Sequence, residues 1–320
     1  MRYGLKFLEI NHFIVENAIN TCYIDSLLMA LFYNPSIIGN LLNSDCKEGM
    51  SIYLQEYIRT NFVEYIQQNK SVLENTMNMI RILSIQNGWI NGKSSNMVDS
   101  NINRNYYDNI FDQQDVTEYY NFLINIFNGP QIEIQRQTIT EGLPDENDIG
   151  KIEKLPFIPL SIPDNIQQID IKELYHNWVY DNCSNIKRMV PTANGKEERS
   201  VLGLNTYHIT NIPYIIGFQI NRFKEENKKN YANIIIQKKI HLFMNSSNPF
   251  HHEWIFHAAI CHKGETIKSG HYYTLLSINS NFYIFDDQKI PCIELIDMAD
   301  KKVTNLIKKE CFFIIYKYNN

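Results

Sequence analysis

The sequence predicts an α+β fold in which a helical lobe and a β lobe face each other across a cleft. Three observations predict it. The first half carries apolar residues at helical spacing, and the second half carries short β-branched and aromatic runs split by turn residues. The chain has 320 residues of which 44% are hydrophobic, enough for a large core in one large domain or two ordinary ones. No internal repeat is visible.

The helices come first. Over 22–33, Leu27, Leu28, Leu31 and Phe32 share one face, with Asn20 as a plausible N-cap. Over 51–68 the stripe is Tyr53, Leu54, Tyr57, Ile58, Phe62 and Tyr65. Over 113–127 it is Val116, Tyr119, Tyr120, Leu123 and Phe127. The Asn/Ser-rich stretch 91–109 reads as a loop, as do the Gly/Pro/Asp-containing stretch between Gly129 and Lys154 and the polar run 191–200. Leu174, Tyr175 and Trp178 form the core face of a short helix. Strands are predicted at 155–162, 214–223, 254–262, 271–278, 281–285 and 311–318, with turns at Lys263-Gly264, Ser269-Gly270 and Asn279-Ser280.

Bulk properties narrow the function. A net charge of -5 argues against nucleic acid as the main partner, and the lysine-rich clusters read as solvated faces. Six cysteines are scattered without a C-x-x-C pair, so neither a disulfide scaffold nor a zinc knuckle is expected. The N-terminal residues do not read as a signal peptide, and no run approaches the roughly 18 apolar residues of a membrane span. A reducing intracellular setting is expected, cytoplasmic or nuclear. An Asn-Ser-Ser sequon at 245–247 is inert there. Richness in Asn, Ile, Lys and Tyr points to an AT-rich genome, such as that of a parasite or a large virus, so a virus-encoded protein acting in a host cell fits too.

One set of residues carries chemistry. A cysteine nucleophile needs a thiolate, a histidine to manage the proton, a group to orient that histidine and a donor for the oxyanion. Cys22 alone among the six sits at a predicted helix start, where unpaired N–H groups favour a thiolate; a buried core cysteine is the ordinary alternative. His271 opens an aromatic strand after Ser269-Gly270, and Asp286-Asp287 end the next strand. A hairpin of the two strands returns the acid pair to the level of His271. His252-Glu253 with His257 fails the zincin spacing by one residue and lies in a strand-like stretch, so a structural role is expected.

The segment 17–27, NAINTCYIDSL, resembles the cysteine box of the ubiquitin-specific proteases. Gly270-His271-Tyr272-Tyr273 with Phe285-Asp286-Asp287 resembles their histidine box. Gln113-Gln114-Asp115-Val116-Thr117-Glu118-Tyr119 is similar to an element that the family carries between the two boxes. Ile212-Pro213 through Asn221-Arg222-Phe223, and Leu155-Pro156-Phe157 through Leu160-Ser161-Ile162, are similar to two of the family's strands. Five elements in the right order span most of the chain.

The resemblance implies a papain-like fold with a helical thumb at about 1–128, reduced fingers and part of the palm at about 129–213, and an antiparallel-sheet palm at about 214–320. It implies Cys22 as nucleophile, His271 as general base, Asp286 as third triad member and Asn17 as oxyanion donor. Asp287 either shares the role of Asp286 or supports the oxyanion site. Substrate contacts are implied at Asp115, Gln114, Tyr272, His262 and Gly270, with 263–270 as a gating loop. The activity implied is hydrolysis after the C-terminal glycine of ubiquitin, by a monomer, with ubiquitin or ubiquitinated proteins as partners and no cofactor. The alternatives are a peptidase for another ubiquitin-like modifier, or an inactive ubiquitin-binding module.

The departures are specific. Ile19 stands where the family has glycine, and a β-branched residue resists the angles that glycine permits. Asp25 replaces the usual Asn; it either raises the thiol pKa or faces solvent. At the fingers, 135–138 reads QRQT and Cys183 has Ile186 where a partner cysteine would stand, so shortened, metal-free fingers are expected.

Overall fold

A computed structural model describes residues 13–33, 41–42, 49–90, 93–94, 111–140, 148–180, 182–193, 195–223, 228–242, 252–266 and 269–319. Apart from Lys93 and Ser94, the expected loop at 91–109 lies outside the described residues.

Helices precede strands, as predicted. Helix α1 (Cys22–Phe32) is buried along its whole length, so it is apolar nearly all round and its two polar residues, Asp25 and Ser26, need internal partners. Helix α2 (Met50–Ile58) runs through a π-helical turn (Arg59–Val63) into α3 (Glu64–Gln67), covering the stretch expected as one helix. Helix α4 (Glu74–Gln86) was not legible. Its buried face is Met77, Ile80, Arg81 and Ser84, and two polar residues break the apolar stripe. Helix α5 (Val116–Ile126) begins three residues later than expected because the Asp115 carboxylate caps it, accepting from the Thr117 N–H at 2.7 Å. A two-residue ribbon, β1 (Trp89–Ile90) with β2 (Lys93–Ser94), lies between α4 and α5 in the chain.

The next region corrects two loop expectations. Strands β3 (Ile132–Thr140), β4 (Asp148–Leu155), β7 (Asn182–Thr192) and β8 (Gly195–Ile209) form an antiparallel sheet in the order β4-β3-β8-β7. The run 191–200 is the tip of the β7–β8 hairpin, paired out to Thr192↔Gly195. Both β4 and the first half of β8 are solvent-exposed, so neither shows the apolar alternation that marks a half-buried strand.

The main sheet runs β15-β14-β13-β12-β16-β9-β5, with β11 (Lys239–His241) also on β12. Its strands are β5 (Ile158–Ser161), β9 (Ile215–Asn221), β12 (Glu253–Thr266), β13 (Ser269–Ile278), β14 (Asn281–Phe285), β15 (Ile293–Ile296) and β16 (Cys311–Tyr318). All pairs are antiparallel except β5 with β9. Side chains alternate between two cores. Ala258, Ile260, Phe313, Ile315, Tyr272 and Leu276 face the helical lobe. Ala259, Cys261, Ile314, Tyr316, Tyr273 and Leu275 face the second core, covered by α6 (Ile171–Val179), α7 (Lys301–Glu310) and the small parallel pair β6 (Gln168–Asp170) and β10 (Asn233–Ile235). Leu174 and Tyr175 of α6 are buried there, with Trp178 packed against them. Among the described residues no helix is long and apolar enough to cross a membrane.

Two polar bonds seat α1 on the sheet. Thr274 Oγ1 donates to the Ser26 carbonyl at 2.9 Å, and His257 Nε2 donates to the Ala30 carbonyl at 2.9 Å. Burial holds the His257 imidazole neutral and lowers its pKa from 6.5 to about 3. The sign follows from the unfolded chain, which binds that proton first. His257 therefore contributes stability above pH 6.5 and loses it as pH falls toward 3. Urea midpoints are expected to decline over this window, and more shallowly in His257→Gln.

Candidate active site

Each candidate side chain is set by an element end. Cys22 is the first residue of α1. His271 is the third residue of β13, and Asp286 directly follows β14. The β13–β14 register pairs Thr274 with Phe285, so the chain leaving β14 runs back toward the start of β13. His271 Nε2 lies 2.7 Å from Asp286 Oδ1 and 3.5 Å from Asp287 Oδ1. Its Nδ1 is buried without a hydrogen-bond partner among the described residues.

Cys22 is brought to the same place. Its buried thiol receives backbone hydrogen bonds from Tyr272, the residue after His271, and from Tyr23. Burial pushes the Cys22 thiol up to about 12; the Tyr272 bond opposes this, and the neighbouring carboxyl groups of Asp287 and Asp25 add to it. The helix start therefore does not by itself produce a thiolate. Asp286 responds the other way. Burial raises its pKa, but the bond and charge of His271 outweigh that and hold it below the usual carboxylate range.

Asn17 Nδ2 donates to Asp287 Oδ2 at 2.6 Å, which fixes the amide and leaves its second N–H free to point elsewhere. Of the two roles open to Asp287, the geometry shows contact with both Asn17 and His271. Asp25, for which solvent exposure was one expectation, is fully buried, and its carboxyl pKa is raised well above normal by burial first and then by Asp287.

The segment before Cys22 carries strain that the sequence foreshadowed. Ile19 (φ 48°) and Asn20 (φ 59°) both lie in the left-handed region, so Asn20 is not the N-cap; Thr21 is. Arg81 of α4 holds this turn, its Nη2 donating to the carbonyls of Ala18 (2.6 Å) and Ile19 (2.5 Å). Sequence reasoning missed Arg81, because a buried arginine whose partners are distant carbonyls leaves no local pattern. Ile19 is 60% exposed, so its side chain returns little burial. A left-handed β-branched residue costs about 1–2 kcal/mol, more than the ~0.4–1 kcal/mol that glycine adds through the unfolded chain. Ile19→Gly is therefore expected to raise the thermal midpoint, read by differential scanning calorimetry.

The implied substrate residues fall into two groups. Gln113 Nε2 lies 3.1 Å from His262 Nε2, and His262 is fully buried against Tyr272 (ring centroids 4.6 Å) and Phe223. Tyr272 is also fully buried, while Tyr273 faces the other core and donates to Glu310 Oε2 at 2.8 Å. Gln114 and the capping Asp115 sit at the start of α5, less deeply buried. Gly270 has φ 148° and no room for a Cβ, which would fall 2.3 Å from the Lys263 carbonyl and 2.8 Å from His262 Nε2. Residues 267–268 of the expected gating loop lie outside the described residues; the rest closes the β12–β13 hairpin at Thr266↔Ser269. Lys229 Nζ ties this turn down by donating to the carbonyls of His262 (2.5 Å) and Gly264 (3.0 Å). Among the described residues, the one cluster of potential metal ligands is His271, Asp286 and Asp287 themselves. Cys183 is exposed.

A helix-start cysteine, a strand-start histidine and a bonded carboxylate between a helical lobe and an antiparallel sheet define the papain-like cysteine peptidase class. The chain belongs to the ubiquitin carboxyl-terminal hydrolase family, whose model matches residues 15–306. No curated protein matches in sequence. Among solved structures, the fold is similar to the SAGA Ubp8/Sgf11/Sus1/Sgf73 DUB module bound to ubiquitin aldehyde, with a TM-score of 0.67 and 14% identity over 96% of this chain and 69% of that one. It is also similar to the same SAGA DUB module bound to monoubiquitin, there with a cysteine-to-alanine variant of Ubp8, with a TM-score of 0.68 and 16% identity over 98% of this chain and 71% of the other. A third is the yeast SAGA DUBm with a mutant Sgf73, with a TM-score of 0.61 and 15% identity over 96% of this chain and 68% of that chain.

Proposed function

We propose that the chain is a thiol-dependent deubiquitinase that hydrolyses the bond after the C-terminal glycine of ubiquitin. One observation carries this reading: His271 is bonded through Nε2 to Asp286, its Nδ1 is left buried and unpaired, and the Cys22 thiol is bonded to the backbone of the next residue, Tyr272. Cys22 gives its proton to Nδ1 and attacks the glycine carbonyl. The imidazolium, held by Asp286, protonates the leaving lysine amine and afterwards takes a proton from the water that releases ubiquitin. Asn17 and backbone N–H groups at the start of α1 stabilise the oxyanion. In this reading residues 1–128 form the thumb and 214–320 the palm, the four-stranded sheet supplies metal-free fingers, and the enzyme acts as a monomer inside the cell.

Asn17→Ala is expected to lower kcat by about 10²–10³ on a fluorogenic ubiquitin C-terminal amide. The reading is tested with a ubiquitin bearing a C-terminal electrophile, which should form a covalent adduct with the protein at Cys22. Absence of the adduct overturns it, and adducts only with the corresponding probes of other ubiquitin-like modifiers reassign the substrate. A second reading, a ubiquitin-binding module without turnover, is favoured by the raised pKa of Cys22. Ubiquitin binding without adduct formation supports that one.

A further inference from the structure

Asp25 is the one carboxyl group within α1, and it is wholly buried in the site. Its Oδ2 accepts from Thr21 Oγ1 at 2.9 Å, and Thr21 Oγ1 in turn accepts from the Ala18 N–H at 2.8 Å. Its carboxyl adjoins that of Asp287, which, after burial, adds to the upward shift of its pKa. The Asp287 side chain has no exposure, and its Oδ2 is occupied by the Asn17 amide. Oδ1 of Asp25 and Oδ1 of Asp287 are both buried with no hydrogen-bond partner among the described residues, which leaves each carboxyl an oxygen for the other.

Two carboxylates carry only acceptors, so a bond between them requires that one hold a proton. Like charges in contact inside a dry site do not both ionise. The placement of the proton follows from the other partners. Asp287 receives a short bond from Asn17 and lies 3.5 Å from the His271 nitrogen, both of which favour an acceptor. Asp25 receives only a neutral hydroxyl. The remaining groups facing Asp25 are the Cys22 thiol and the Tyr23 phenol of its own helix, Tyr119 of α5 and Arg81 of α4. Arg81 Nη2 is committed to the Ala18 and Ile19 carbonyls; its charge favours the ionised form of Asp25, but less than burial and Asp287 oppose it, and among the described residues no cation makes an ion pair with Asp25.

Resting on the hydrolase reading above, we propose that Asp25 is a positioning residue that works as a carboxylic acid, donating its proton to Asp287 and so locking the acceptor that holds the Asn17 amide. The ladder runs from the Ala18 N–H through Thr21, Asp25 and Asp287 to Asn17, and it closes the turn that precedes the nucleophile. Ionising Asp25 at alkaline pH turns the bond into a repulsion, and Asn17 loses its fixed partner. An asparagine at this position reproduces the neutral form, because its oxygen accepts from Thr21 while its NH₂ donates to Asp287 at any pH.

The test compares wild type with Asp25→Asn and Asp25→Ala in kcat/KM against pH on the fluorogenic ubiquitin amide. The expected result at neutral pH is Asp25→Asn within about three-fold of wild type and Asp25→Ala lower by about 10- to 100-fold, less than loss of the oxyanion donor itself. Wild type also loses activity at alkaline pH on a limb that Asp25→Asn lacks. The companion measurement needs no activity. Infrared spectra with isotope-labelled aspartate should show the carbonyl stretch of a buried protonated carboxyl at neutral pH, absent in Asp25→Asn. If wild type turns over no ubiquitin substrate but shows this band, the hydrolase reading fails and the proton assignment stands. If the band is missing, or if Asp25→Asn is as impaired as Asp25→Ala with its alkaline limb intact, the proposal is overturned.

Discussion

Cys22→Ala is expected to abolish hydrolysis of the ubiquitin amide, and His271→Ala to lower kcat by about 10⁴-fold or more, with the double variant no worse than the first. The non-additivity follows from the electrostatics. With the Cys22 thiol pushed up to about 12 by burial and by two neighbouring acids, almost none of it is thiolate at neutral pH. In the proposed mechanism the nucleophile exists only when the proton moves to His271 Nδ1. That atom is buried and has no hydrogen-bond partner among the described residues. Each residue is therefore useless without the other. The same logic gives a pH signature: the residual rate of His271→Ala should climb about ten-fold per pH unit well into the alkaline range, since it tracks the thiolate fraction below a pKa near 12. A flat residual profile would refute this account of the thiol. Asp286→Asn is expected to retain much of the activity, because Asp286 Oδ1 also accepts from the Gln288 N–H at 3.1 Å, which keeps the amide oxygen toward His271 Nε2 and the ring proton on Nε2. Asp286→Ala, which removes the acceptor that holds the ring, should fall further.

These residues were legible in the sequence because each marks an element boundary. Cys22 opens a helix, His271 opens a strand after a glycine, and Asp286 closes the next strand across a two-residue turn. A hairpin of known register converts those positions into contacts. The helical and strand halves were legible for a similar reason, since α1, α5 and the strands of the main sheet each present a clean apolar period. What was missed depends on long-range pairing. Helix α4 buries Arg81 and Ser84 toward partners some sixty and thirty-five residues away (the Ala18 carbonyl and Tyr119), so its stripe looks broken. Strands β4 and β8 are exposed on both faces near the hairpin tip, and exposed strands have the composition of loops. Asp25 was seen as a departure, yet its neutral form depends on Asp287, far away in the chain.

Arg222 offers the largest expected effect on stability, and it connects the core to the site. Its guanidinium is fully buried and has no acid partner among the described residues. It donates instead to four carbonyls: Cys311 (2.6 Å), Asn230 (2.9 Å), Ala232 (3.0 Å) and Lys308 (2.7 Å). These belong to the start of β16, the loop after β9 and the last turn of α7, where helix carbonyls lack internal partners and a cation is favoured. Removing the fork strands all four in a dry interior, and each orphaned group costs about 1–3 kcal/mol. Partial relaxation reduces the sum, so Arg222→Met is expected to cost about 3–5 kcal/mol and to lower the thermal midpoint by roughly 5–10 °C. Arg222→Lys keeps the charge but reaches fewer carbonyls, and should recover only part of this. The loss extends to substrate handling. The Asn230 N–H donates to the Arg222 carbonyl at 2.7 Å, and the neighbouring Lys229 ties down the carbonyls of His262 and Gly264 in the turn before His271. Loosening that loop should raise KM for ubiquitin substrates in Arg222→Lys while kcat stays near wild type, since Cys22, His271 and Asp286 touch none of these atoms. An unchanged KM together with the full loss of stability would confine Arg222 to the core.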